Sequence, residues 1–179
     1  MKTTAAISIS LLVLLAGACS SHKTGAMAMA NLQPTATTGP AGMVHFTDQA
    51  DGSTEVTIDI TGLAPHSVHG FHIHENPSCA DMGNGAGGHF NPTMAPHAAP
   101  TAVSHHAGDF GNVAADEKGE VHSHFTTNSV TAHAGSISVL GHSVVLHANQ
   151  DDLMTQPSGN AGARIACGVI VEMAGTMQH

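Results

Sequence analysis

Apolar and polar residues alternate with a period of two along much of the chain after position 42, which predicts strands rather than helices. MVHFTDQ at 43–49 and TEVTIDI at 54–60 are two such runs, joined by ADGS, in which Asp51 and Gly52 are turn formers. They read as a hairpin with Val56, Ile58 and Ile60 facing inward. In VHGFHIHE at 68–75 the same period sends Phe71 and Ile73 to one face and His72 and His74 to the other. GEVHSHFTT at 119–127, SISVLG at 136–141, HSVVLH at 142–147 and ARIACGVIVEM at 163–173 are further short β-rich runs. With no convincing helix between them, an all-β sandwich or flattened barrel is expected.

One stretch breaks this rhythm. Gly70 to Asn112 loses strand and helix pattern after Glu75, yet holds His72, His74, His89, His97, His106 and Asp109. A loop of that length inside a compact domain needs something other than backbone pairing to order it, and these side chains favour metal ions. Two imidazoles on one strand face, about 7 Å apart along the backbone, can bite a single ion.

Composition sharpens this picture. Five Phe and no Trp or Tyr leave the core to aliphatic residues, and 20 Gly with eight Pro suit a chain of many turns. The formal charge is −9, with Lys2, Lys23, Lys118 and Arg164 as the only strong cations, so no nucleic-acid partner is expected. Sixteen His against four Lys and Arg is the anomaly.

At the N-terminus, Lys2 precedes an apolar run from Ala5 to Leu15 and then Ala16, Gly17, Ala18 and Cys19. This is an export signal over residues 1–18, too short to span a membrane. The LAGAC ending resembles a bacterial lipoprotein signal, in which Cys19 becomes the lipidated first residue, so a periplasmic or cell-envelope protein held at a membrane is expected. Lipidation of one of three Cys leaves Cys79 and Cys167 as the remaining two. Residues 19–41, rich in Ser, Thr, Ala, Gly, Pro and Met, are expected to be a flexible tether, and 42–179 the folded domain.

GFHIHE, then GGHFNP with His89, then His97, then HAGDFGN with His106 and Asp109, then VVLH ending at His147, then GNAGARIACGVI occur in this order. Together they resemble the copper/zinc superoxide dismutase family over roughly Gly42 to the C-terminus. The resemblance implies a Greek-key antiparallel fold of about eight strands with long metal-binding and active-site loops. It implies one copper per subunit on His72, His74, His89 and His147, and one zinc per subunit on His89, His97, His106 and Asp109, with His89 shared as an imidazolate. It makes Asp151 the carboxylate linking His72 to His97, Cys79–Cys167 the intrachain disulfide, and Arg164, with His89, a catalytic residue acting on superoxide. His69 matches a structural histidine of the family.

Ten histidines (His22, His45, His66, His69, His105, His122, His124, His133, His142 and His179) are left unassigned as metal ligands; His122 and His124 repeat the i, i+2 spacing of His72 and His74 without a surrounding constellation. The leading functional expectation is dismutation of superoxide to dioxygen and hydrogen peroxide. A copper- and zinc-binding or buffering lipoprotein on the same fold, motivated by the surplus His and Met, is the alternative. A dinuclear zinc hydrolase is a distant third, because no carboxylate besides Asp109 stands among the ligands to act as a base. Homodimer and monomer are both compatible with the sequence.

Overall fold

The computed structural model describes residues 25–173. The expected signal segment and Cys19 lie outside the described residues. Eight strands occur in chain order: β1 Met27–Pro34, β2 Ala41–Asp48, β3 Thr54–Thr61, β4 Val68–His74, β5 Asp109–Ala114, β6 Val121–Thr127, β7 Ser143–His147 and β8 Arg164–Glu172. Helix among the described residues is confined to one 3₁₀ turn, Asn84–Ala86.

The strands form one antiparallel sheet in the order β5-β4-β7-β8-β1-β2-β3-β6. Its two ends curl toward each other. Phe110 of β5 meets Phe125 of β6 edge-on, ring centroids 5.2 Å apart, so aromatic packing nearly closes the barrel where no ladder does. Inside, Phe46, Phe71, Leu32, Ile58, Ile60, Ile73 and Leu146 are fully buried. The predicted hairpin is β2–β3 with Val44 opposite Ile58, and Val56, Ile58 and Ile60 point inward as expected.

Two segments depart from the sequence reading. The expected tether 19–41 contains β1, which pairs with both β2 and β8. Its MAMANLQP alternates, and Ala28, Ala30 and Leu32 are fully buried. Small Ala residues fit the crowded inner face, so a composition suggesting a solvated linker builds a central strand. The folded domain therefore starts well before residue 42. Conversely, SISVLG forms no strand; it contributes the buried Val139 and a single bridge between Thr131 and Ser138.

The ladders slip in register at two places. One falls between Gly70 and His72 in the β4–β5 ladder, the other between Leu146 and His147 in the β7–β8 ladder. Such bulges re-aim side chains locally, and each sits next to a candidate ligand.

Candidate metal centre

Strand β4 delivers His72 and His74 and β7 ends on His147, while a short extra ladder delivers His89. Phe90 N–H donates to Ile73 O at 2.8 Å, Gly108 N–H donates to Phe90 O at 2.9 Å, and Ile73 N–H donates to Gly108 O at 3.0 Å. This stitches the long loop onto the edge of β4, with His89 bridged to His74. His142 stacks on Phe90, ring centroids 4.0 Å apart, while its Nδ1 bonds Glu75 O.

Two groups of donors result. His72, His74, His89 and His147 each offer one nitrogen, and His89, His97, His106 and Asp109 each offer one nitrogen or oxygen; within each group these atoms lie within 4.8 Å of one another. All seven residues are buried. His105 is not in either group: its Nδ1 bonds His106 O, and His106 enters instead.

The tautomers follow from what the outer nitrogens touch. Asp151, fully buried, holds Oδ2 2.7 Å from His72 Nε2 and Oδ1 3.0 Å from His97 Nε2. An ionised carboxylate only accepts, so His72 Nε2 carries the proton and its Nδ1 is bare. His74 Nδ1–H likewise donates to Gly87 O at 2.9 Å, and His147 Nδ1–H to Gly162 O at 3.2 Å. Their bare Nε2 atoms face each other at 3.3 Å.

Asp109 Oδ1 collects His89 Nδ1 at 2.8 Å, His97 Nδ1 at 2.9 Å and His106 Nδ1 at 3.1 Å. Its Oδ2 accepts the backbone N–H groups of Ala98 and His106. His97 is therefore held between two carboxylates while a neutral ring has one proton to give. A bare nitrogen facing a carboxylate oxygen repels it unless a cation stands between them.

The fit to metals rests on two further atoms. His72 Nδ1 and His89 Nε2 are the only buried side-chain nitrogens or oxygens among the described residues that lack a hydrogen-bond partner. Buried donors and acceptors are otherwise nearly always satisfied. Both belong to the all-nitrogen group, whose chemistry suits Cu(II); three nitrogens and a carboxylate suit Zn(II). His89, with Nδ1 toward Asp109 and Nε2 unpartnered, faces both groups.

Burial makes His72, His74 and His147 reluctant to charge. Desolvation, reinforced by neighbouring imidazoles, takes His72 down to about 4 and His147 to about 3, and pushes His74 well below its usual value. Burial would raise Asp151, but hydrogen bonds from His72, the Leu153 amide and His97 outweigh it and bring the carboxyl to about 2. For Asp109 burial is likewise outweighed by hydrogen bonding and charge from His89.

Acid should therefore weaken the metal-free fold. A histidine depressed in the fold takes up its proton first in the unfolded chain, so it destabilises the metal-free protein as pH falls below about 6.5, by up to about 1.4 kcal/mol per pH unit per ring. For His72 and His147 that loss runs down to their folded values of about 4 and 3. Asp151 adds its own loss as pH falls from 3.8 to about 2. His122, raised by Asp59, acts in the opposite sense but is exposed and screened. Urea midpoints of metal-free protein from pH 7.5 to 4 are expected to fall steadily with acidification; a flat profile would contradict buried neutral rings.

Arg164 opens β8 as the register partner of His147. Its Nη1 donates to Gly83 O at 2.6 Å and its Nη2 to Gly87 O. Gly87 O also accepts from His74 Nδ1, so the half-buried guanidinium carries its charge beside the all-nitrogen group and helps depress His74 and His147. Cys79 and Cys167 are joined, Cα atoms 5.7 Å apart, fastening the Gly83–Gly87 loop to β8 three residues beyond Arg164.

Sequence reasoning missed several supports. Gln156 clamps His97 through both its backbone N–H and C=O, and Asn112 does the same for Asp151. Gly159, at φ 67°, passes so close that a Cβ there would collide with Asp151 Oδ1. His69 is placed as expected: it bonds His147 O at 2.8 Å and Ser67 Oγ at 2.8 Å. No spacing in the sequence marks Gln156 or Asn112, because their partners lie 59 and 39 residues away.

A family model described as copper/zinc superoxide dismutase matches residues 40–170. Among solved structures, the crystal structure of the clock protein EA4 is similar, with a TM-score of 0.75 and 36% sequence identity over 84% of this chain and 96% of that one. Family match, nearly closed antiparallel barrel and paired donor groups agree: the chain belongs to the copper/zinc superoxide dismutase family.

Proposed function

We propose that this chain dismutates superoxide, converting two superoxide anions and two protons into dioxygen and hydrogen peroxide. His72, His74, His89 and His147 would hold copper, and His89, His97, His106 and Asp109 zinc, one of each per chain. Copper supplies a reversible one-electron change, which zinc with its filled d shell does not. The observation that carries the reading is a pair of donor groups sharing His89, with a cation, Arg164, register-paired to His147.

The chain's own residues do the remaining work. Gly87 O, Gly162 O and Asp151 Oδ2 fix which ring nitrogen is bare in His74, His147 and His72, so these three rings need no change of tautomer. Arg164, pinned by Gly83 O and Gly87 O, offers fixed positive charge for orienting a small anion. His89 Nε2, otherwise unpartnered, is the atom placed to take up a proton and return it.

Metal analysis of purified protein coupled to superoxide consumption tests this. The native chain is expected to carry one copper and one zinc; His147→Ala to lose copper and turnover but keep zinc; Arg164→Ala to keep both metals and slow by at least roughly tenfold. Full rate in His147→Ala would sink the ligand set. The surplus of His and Met favours a second reading as a metal-buffering lipoprotein. Stoichiometric metals with negligible turnover would select it. On either reading the chain is proposed to be exported and lipid-anchored through Cys19 in the cell envelope, with superoxide rather than nucleic acid as the dismutase's partner.

A further inference from the structure

Outside the metal centre, one histidine repeats the arrangement of His97. His122 of β6 lies between two carboxylates: its Nδ1 is 2.8 Å from Asp59 Oδ1, and its Nε2 is 3.4 Å from Glu120 Oε2. Asp59 is its register partner on β3. A neutral imidazole has one N–H. The shorter contact takes it, so Nδ1–H donates to Asp59; Nε2 then meets Glu120 favourably only when the ring holds a second proton, which both carboxylates favour, or when a cation stands between the two atoms.

The longer contact is stretched for an N–H···O hydrogen bond, which prefers about 2.7–3.2 Å. It matches the edge of a tetrahedral metal site instead: bonds of about 2.0–2.1 Å set ligand atoms roughly 3.3–3.4 Å apart. Asp59 then acts on His122 as Asp151 acts on His72, fixing the ring from behind. Glu120, His122 and His124 stand at i, i+2 and i+4, so strand alternation turns all three to the outer face. His122 and His124 are exposed and Glu120 half-exposed, so an ion can reach them from solvent.

We propose that Glu120 and His122 form a surface site for a borderline divalent cation such as Zn(II) or Cu(II), separate from the buried pair, which the exposed His124 ring completes by rotating toward it. In its absence a proton fills the gap between Nε2 and Oε2, and the metal displaces it. The site gives a use to the His-X-His repeat of β6, which the buried centre leaves unexplained.

The test uses full-length protein already loaded with copper and zinc and dialysed. Titration with Zn(II) by calorimetry is expected to show a further, weaker equivalent, with the His122 ring-proton resonance shifting in step. His122→Ala should weaken that equivalent at least tenfold and Glu120→Gln several-fold. His133→Ala, which removes another exposed histidine paired to a carboxylate, Asp48, should leave it unchanged. The proposal is overturned if no further equivalent binds, or if the equivalent persists undiminished in His122→Ala, which would assign it to other histidines. These results are independent of superoxide turnover, so failure here leaves the dismutase reading standing.

Discussion

Replacing Cys79 and Cys167 together by Ser is expected to cost about 4–5 kcal/mol of stability, read as a fall in urea midpoint at constant slope. The bridge spans 88 residues, about half of the chain, and a loop of that size loses much conformational freedom in the unfolded state when it is closed. Locally, Cys79 and Cys167 pack with Ala86 and Val145 in a small apolar cluster separate from the main core. The consequences extend to the site. Gly87 O accepts from both Arg164 and His74, and it lies on the loop that the disulfide fastens. Freeing that loop releases the guanidinium and the acceptor that sets the His74 tautomer. The double-Ser protein should therefore lose copper more readily than zinc, because Asp109 and its three nitrogen neighbours do not touch that loop's carbonyls. An unchanged midpoint with unchanged copper retention would refute both parts.

How far the sequence alone reaches depends on the kind of interaction. The β2–β3 hairpin and the opposed faces of β4 were legible because alternation and a turn are local signals. Strand β1 was not, since small Ala at the inward positions, with Met between them, looks like linker composition until the crowding that Ala28 and Ala30 fit is known. Strand β5 was hidden for another reason. Asp109 is at once its first residue and part of a donor group, and DFGNVA carries little alternation before Val113. The donors themselves were legible as residue types and, through resemblance, as a set. Their tautomers were not, because they are set by the carbonyls of Gly87 and Gly162, and a backbone oxygen leaves no mark in a sequence.

The buried carboxylate behind the two groups should matter as much as any donor. Asp151→Asn keeps shape and volume but replaces one acceptor oxygen by an NH₂. In the native protein both carboxylate oxygens accept, from His72 Nε2–H, from His97 Nε2–H and from the Leu153 amide. With one oxygen left, one ring must meet an N–H with its own N–H, or shift its proton to Nδ1. The first leaves buried donors unpaired; the second removes the lone pair that faces the metal group. Leu153 N–H is 2.6 Å from the oxygen that also serves His97, so the amide oxygen should stay there and His72 should suffer. The expected result is a loss of roughly 10–100-fold in copper affinity with a smaller change for zinc, measured by competition with a chelator for each metal separately. Asp151→Ala should weaken both, because neither His72 nor His97 then has a partner for its outer nitrogen. Equal affinities for both metals in native protein and Asp151→Asn would mean that the rings are held by packing alone, and that the carboxylate merely fills space.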